Sequence, residues 1–287
     1  MKKNKIAFQG ELGANSHIAC LEVRRDFEPL PCRTFEDAFQ AVKDGLAKLA
    51  MIPIDNSVAG RVADIHHLMP ASNLHIIGEH FLPIHHQLVV GRGTALSDLK
   101  SVHSHVHALG QCRKVLRKHK LTAVVAVDTA GAARELSEHP DKTRAAIASS
   151  LAAEIYGLDI LLRDIEDEDH NTTRFIILSS EQQDAPANNG PVMTSFVFRV
   201  RNVPAALYKA MGGFATNGVN MTKLESYQIE GQFNATQFYA DIEGHPSDRP
   251  VKLALEELGF FTSYMKVLGT YPASPYRAEI AKRLPAE

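Results

Sequence analysis

The stretch DEDHNTTRFIIL, Asp167 to Leu178, sets three acidic residues and His170 ahead of Asn171, Thr172, Thr173 and Arg174, then turns apolar at Phe175. Hydroxyl, amide and guanidinium groups at the mouth of an apolar run supply hydrogen-bond donors and one permanent positive charge. Such a set suits a small anionic substrate held by hydrogen bonds and positive charge. Two readings stand side by side. As structure, Thr172 and Thr173 are β-formers entering a strand, Arg174 snorkels, and Asp167 to Asp169 make a solvated turn. As function, Thr173 and Arg174 stand where the last strand of their domain begins, near a cleft between lobes.

Further candidates stand where short apolar runs give way to helical patterns. KIAF is followed by QGELGANS, MIPI by DNSVAG, the 102 region by HSHVHALGQ, VVAV by DTAGAA and AAIA by SSLAAE. These junctions hold Ser16, Asn56 with Ser57, Ser104, Thr129, and Ser149 with Ser150, thinned by Gly10, Gly13, Gly60, Gly110 and Gly131. In an open α/β sheet such junctions share one rim, beside helix N-termini whose free N–H groups attract anions. Each residue alone is also a good helix cap. Together they outline a site for a small molecule bearing carboxylates or phosphate.

Rival chemistries find less support. His103, His105 and His107 would share one face of an extended HSHVH, with His66-His67 and His85-His86 adding imidazoles. Zinc needs three or four converging ligands, and HALGQCRKVLRKH reads as helix, which breaks that alternation. No GxSxG elbow, HExxH or GxxxxGK[ST] loop occurs, and GELGANS lacks dinucleotide spacing. The expected site works by hydrogen bonds and positive charge, with no metal.

The elements that must position these groups follow from the apolar pattern. Strand-like runs alternate with helical ones up to about residue 180, as in parallel sheets with crossover helices. LHIIGEHFLPIHHQLVVG breaks the rhythm with two strand-like runs and no helix between, as a second α/β lobe or a crossing between lobes would. SSEQQDAPANNGPV is polar and reads as a linker. Beyond it the order is βαββαβ: TSFVFRV, a helix from Pro204 capped by Asn202, a hairpin around EGQFN, the helix RPVKLALEELG and the strand FTSYMKVLGTY.

The 287 residues carry 45% hydrophobic and 22% charged residues, as a globular protein does, and a net charge of −2 gives no bulk reason to bind nucleic acid or a membrane surface. Cys20, Cys32 and Cys112 form no CxxC pair, which suits a reducing compartment. After MKKNK no hydrophobic stretch follows, so a soluble cytoplasmic protein is expected.

NTTRFIIL, PIDNSVAG, HSHVHALGQC, IASSLAAEIYGL and the C-terminal LYKAMGGFATNGVNMTKLES together resemble the prephenate dehydratase family, in the family's order. The resemblance implies an α/β catalytic domain over residues 1–180 with two lobes like type 2 periplasmic binding proteins, the second at about 80–168. It further implies a linker at 181–192 and a ferredoxin-like βαββαβ ACT regulatory domain over 193–272. The implied reaction turns prephenate into phenylpyruvate, with loss of carbon dioxide and water, for phenylalanine biosynthesis and without a cofactor. Thr173 is then the residue at the leaving hydroxyl, and Asn56, Ser104 and Gln111 match active-site positions. Arg174 braces the strand and adds its field, Phe175 walls the ring, and Asp55, Ser57, Thr129, Ser149 and Asn171 complete the rim. L-phenylalanine is the implied effector, bound between ACT modules of a homodimer or homotetramer by Ala205, Ala206, Leu207, Asn220, Glu225 and Ser226. No helical region precedes FQGELGANS, so no fused chorismate mutase is expected.

The departures lie at informative places. Asp55 replaces the usual Glu, and Val106-His107 the usual Pro-Gln. Ala205 replaces a glycine where backbone would approach an effector, and Tyr227-Gln228 replaces Arg-Pro. Arogenate dehydratase is the neighbouring alternative. A non-catalytic sensor of amino or keto acids is the other, but it would need an output element that this chain leaves no room for.

Overall fold

The computed structural model describes residues 3–61, 65, 67–201, 203–228 and 235–283. Along the chain run β1 (Lys5–Gln9), α1 (Asn15–Val23), β2 (Glu28–Cys32), α2 (Phe35–Lys43), β3 (Leu49–Asn56), β4 (Gly60–Arg61), α3 (Leu68–Ser72) and β5 (His75–Pro83). Next come β6 (Gln87–Val90), β7 (Ser101–Ser104), α4 (Val106–Gln111), α5 (Arg113–Lys118), β8 (Thr122–Val125), α6 (Thr129–Glu138), β9 (Arg144–Ala148), α7 (Ser150–Tyr156), β10 (Asp159–Leu162) and β11 (Thr172–Ser179). The last part holds β12 (Val192–Val200), α8 (Ala206–Thr216), β13 (Met221–Gln228), β14 (Ala235–Glu243), α9 (Arg249–Phe261), β15 (Thr262–Pro272) and α10 (Pro275–Arg283). Among the described residues no helix is long and apolar enough to cross a membrane.

The strands form three sheets, ordered β2-β1-β3-β11-β5 with β4 on β3, β10-β6-β9-β7-β8, and β13-β14-β12-β15. The first two are the expected α/β lobes, with β1 parallel to β2 and β3, and β7 parallel to β8 and β9. The two strand-like runs without a helix between them are β5 and β6, which belong to different sheets. Chain contacts divide the molecule into one compact unit of residues 1–62 and 81–175 and another of residues 63–80 and 176–287.

In the first unit the second sheet is buried on both faces. Leu88, Val90, Val102 and Ile147 pack under Leu109 and Leu116 of α4 and α5; Val89, Ala146 and Ala148 pack under Ala130, Ala133 and Ala152 of α6 and α7. The long helix expected from HALGQCRKVLRKH is two helices parted at Cys112 (φ −124°). The cause lies elsewhere in the chain: the Asp167 carboxylate accepts the Arg113 and Lys114 N–H groups at 2.9 and 3.0 Å and caps a new helix there. Gly13, with φ +89°, stands where a Cβ would come within 2.6 Å of Ala152 Cα. Gly13 of GELGANS therefore serves a close approach, not a dinucleotide.

Two elements were not visible in the apolar pattern. β2 contains Pro29 and Pro31, but Glu28 donates to Asn4, so the alternate positions of this edge strand face away from β1 and no ladder bond is lost. α2 begins at a capping box, Thr34 Oγ1 accepting from Asp37 N at 3.1 Å and Asp37 Oδ2 from Thr34 N at 3.2 Å.

In the second unit the third sheet carries the expected βαββαβ order. Phe196, Phe198 and Phe238 pack under Phe214 of α8 and Leu258 of α9. Helix α8 starts at Ala206, after Ala205 in left-handed backbone (φ 62°). The expected Asn202 cap, the EGQFN turn, and Val62 to Asp64 and His66 of VADIHHLM lie outside the described residues. The charged tail forms α10, whose Arg277 grips the fully buried Glu79 side chain through Nε and Nη2 at 2.7 and 2.9 Å.

Opposite the helices, β15 runs against Ile76 of β5, and Gly269 makes the approach possible: a Cβ there would stand 2.0 Å from the Ile76 carbonyl oxygen. Neither partner is a flexible side chain, so the backbone would have to part. Gly269→Ala is expected to cost about 3 kcal/mol of stability in urea unfolding, with no comparable loss for Gly259→Ala, where a Cβ meets nothing within 4 Å.

Candidate active site

The entrance to β11 is tied to the end of β3 in the first unit. Ser57 N donates to Thr172 O at 2.9 Å, Thr172 N to Ser57 Oγ at 2.8 Å, and Ser57 Oγ to His170 O at 2.6 Å. This lashing brings Asn56, the last residue of β3, beside β11. Asn56 Nδ2 donates to Asn171 Oδ1 at 2.8 Å and to Thr173 Oγ1 at 2.9 Å. Its Oδ1 accepts the Val58 and Ala59 N–H groups at 3.0 and 2.7 Å. Because two main-chain donors hold that oxygen, the amide cannot be turned over. Thr173 Oγ1 therefore accepts from Asn56 and keeps its own proton to donate.

The second sheet's helix α4 completes the cluster. Asn171 Nδ2 donates to Gln111 Oε1 at 3.0 Å, and the same oxygen lies 2.8 Å from His86 Nε2. Asn171, Thr173 and His86 are buried. Burial makes the His86 imidazole harder to protonate than an exposed one, and this outweighs its bond to Gln111 and the nearby Glu166. Arg174, also buried, places Nη1 at 3.8 Å from Asp55 Oδ2, so the cation that follows Thr173 in the strand is partly balanced.

The acidic stretch before these residues does more than solvate a turn. Asp167 caps α5, as described, and Glu166 Oε1 and Oε2 take His85 Nδ1 and the His86 N–H, both at 2.8 Å. His85, Asp164 and Glu166 are the described residues whose ligand atoms come near enough together for a metal ion, but Glu166 already spends both oxygens on this bracing.

The remaining candidates fall elsewhere. Ser104 is wholly buried and donates to Ile147 O at 2.7 Å, beneath the rim instead of on it. Phe175, expected to wall a substrate ring, is 1% exposed; β11 is an inner strand, flanked by β3 and β5, and three residues past its entrance the side chain is covered. Ser149 caps α7 through Ala152 N at 3.0 Å and donates to Gly13 O at 2.5 Å. Thr129 begins α6, whose cap is Asp128. The HSHVH histidines do not alternate along a strand: His103 ends in β7, His105 caps α4 and His107 lies in its first turn.

In the second unit, Ala205, Ala206 and Leu207 stand at the start of α8, and Asn220 precedes β13. Glu225 accepts from Lys223 at 3.2 Å, while its neighbour Ser226 projects to the other face of β13. The sequence reading missed His86, for which PIHHQ offers no signal beyond a pair of imidazoles.

A family model described as prephenate dehydratase matches residues 6–183. The bifunctional N-acyl-homoserine lactone acylase/prephenate dehydratase of Komagataeibacter europaeus is 50% identical over 95% of this chain and 97% of its own length. Arogenate dehydratase 2 of Petunia hybrida is 37% identical, over 94% of this chain and 72% of that protein. Among solved structures, the prephenate dehydratase of Arthrobacter aurescens in complex with L-Phe is 32% identical with a TM-score of 0.86, over 99% of this chain and 92% of that one. The chain belongs to the prephenate dehydratase family and is a dehydratase, a carbon–oxygen lyase.

Proposed function

We propose that this dehydratase acts on prephenate and releases phenylpyruvate, with Thr173 at the departing hydroxyl. The carrying observation is the 2.9 Å bond in which Asn56 donates to Thr173 Oγ1, leaving the threonine proton to point at substrate. The ring carboxylate leaves as carbon dioxide, its electron pair enters the ring, and the ring C–O bond breaks to give water. Aromatisation drives the step. A threonine hydroxyl is a poor acid at neutral pH, so it stabilises the departing oxygen by a hydrogen bond and solvent supplies the proton. Asn56, Asn171 and Gln111 orient the donor, and Arg174 with Asp55 supplies the field. Ser104 and Ser149 support the rim from below, and the half-buried Thr129 stands at the start of α6.

Feedback by L-phenylalanine through the βαββαβ part, read as an ACT domain that pairs in a homodimer or homotetramer, is part of the proposal. It is supported by the complex of the Arthrobacter aurescens relative with L-Phe. Ala205 adds a methyl group in left-handed backbone at the effector position, so binding is expected to be weaker than with glycine there. The expected compartment is the cytoplasm.

A second activity is favoured by the 50% identity to the Komagataeibacter europaeus protein, whose name joins an N-acyl-homoserine lactone acylase to the dehydratase. Acyl-homoserine lactone cleavage belongs in the same assays, as does arogenate, the substrate in the name of the Petunia hybrida relative.

The deciding experiment is phenylpyruvate release from prephenate, beside turnover of arogenate, in chelator. Thr173→Val is expected to lower kcat by about 10²–10³, or roughly 3–4 kcal/mol. Wild-type binding of both compounds without turnover would return the sensor reading. Ser104→Ala is expected to cost about 1 kcal/mol of stability through the orphaned Ile147 carbonyl, with less than about a tenfold change in kcat. In calorimetry L-phenylalanine should saturate, more tightly in Ala205→Gly; absence of saturation in both proteins removes the regulatory proposal.

A further inference from the structure

We propose that His86 is a positioning residue that holds the Thr173 hydroxyl in its donating orientation through three side-chain amides. The proposal rests on the dehydratase reading of Thr173. The chain of bonds is His86 Nε2 to Gln111 Oε1, Asn171 Nδ2 to Gln111 Oε1, Asn56 Nδ2 to Asn171 Oδ1, and Asn56 Nδ2 to Thr173 Oγ1, at 2.8, 3.0, 2.8 and 2.9 Å.

The polarity of such a chain is a single choice. An amide presents a donor at one end and an acceptor at the other, so reversing one member sets donor against donor at its neighbour. At one end the choice is made by the Val58 and Ala59 N–H groups, which require the Asn56 oxygen. Each step outward then follows. Asn56 gives its NH₂ to Asn171, which turns its own NH₂ to Gln111, which must present its oxygen. That oxygen faces the imidazole, so His86 Nε2 must carry a proton.

If Nε2 were bare, Gln111 would turn its NH₂ to it and meet the Asn171 NH₂ head on. Correcting Asn171 would drive Asn56 against two main-chain donors. His86 and the turn after Asn56 therefore agree on one polarity, and Thr173 receives a bond instead of giving one to the protein.

The imidazole is held for this task. Its main-chain N–H donates to Glu166 Oε2 at 2.8 Å, its carbonyl accepts Ile165 N at 2.9 Å, and the residue is 4% exposed. No member of the chain from His86 to Asn171 needs to touch substrate for the arrangement to work.

The test uses two readouts on the full chain. In nitrogen-15 histidine spectra, the His86 signals, identified among 14 histidines by their loss in His86→Gln, are expected to show a neutral ring with the proton on Nε2. A neutral ring protonated on Nδ1 overturns the proposal and needs no turnover to be seen. In kinetics, His86→Leu removes the donor while filling the space, and is expected to lower kcat about tenfold with KM changed by less than about twofold. His86→Gln, whose NH₂ reaches the Nε2 position, is expected to recover most of that loss. Equal losses in the Leu and Gln variants, at equal melting temperature, reduce His86 to packing and overturn the proposal, as does a Leu variant with wild-type kcat. His86→Met serves as the donor-free variant if the Leu protein does not fold. Wild-type protein inert towards prephenate and arogenate sinks the dehydratase reading, and the ring tautomer then still decides the polarity.

Discussion

The site depends on one oxygen. Asn56 Oδ1 is held by the Val58 and Ala59 N–H groups just after β3, and an amide oxygen with two main-chain donors cannot exchange places with its nitrogen. The orientation of Asn171, the acceptor role of Gln111 and the hydrogen-bonding sense of Thr173 all descend from that arrangement. A cluster of neutral amides and one hydroxyl thereby acquires a direction, which a set of charges would have had without help.

Fixing such a direction needs a rigid frame around neutral groups, and the first unit supplies it. Ser57 laces β3 to the entrance of β11 through three bonds, so Asn56 and Thr173 are neighbours by main-chain geometry. Asp167 ends one helix and starts the next, leaving Gln111 as the last residue of α4. Glu166 holds His86 in place. Residues that look like a solvated acidic turn are thus brackets for groups far away in sequence, and the low dielectric of the buried cluster strengthens each bond they orient.

The second unit follows a different logic. Its sheet is fastened to β5 by shape and, through α10, by an ion pair: Gly269 lets two backbones touch, and Arg277 neutralises Glu79 where neither oxygen of that carboxylate reaches water. A buried pair of this kind contributes little net stability, but breaking it would strand a charge, so it specifies where α10 sits. The tail thereby has a structural role that its charged composition does not announce.

By itself the sequence determined the α/β alternation, the two successive strands with no helix between them and the βαββαβ order, because each is written in local apolar periodicity and in breaks of it. It also placed Asn56, Gln111, Asn171 and Thr173 among the site candidates, since the residue types and motifs mark them. The edge strand EPLPC escaped because its prolines are tolerated only where no partner lies, a fact about sheet order and not about the segment. Ser104 was set on the rim by junction position and Phe175 against the ring by the family resemblance, and the tertiary structure buries both, because burial depends on which strands flank a position. His86 and Glu166 could be found only in three dimensions. Their roles come from a hydrogen-bond chain whose members lie up to 117 residues apart, and no local pattern records the direction in which such a chain must run.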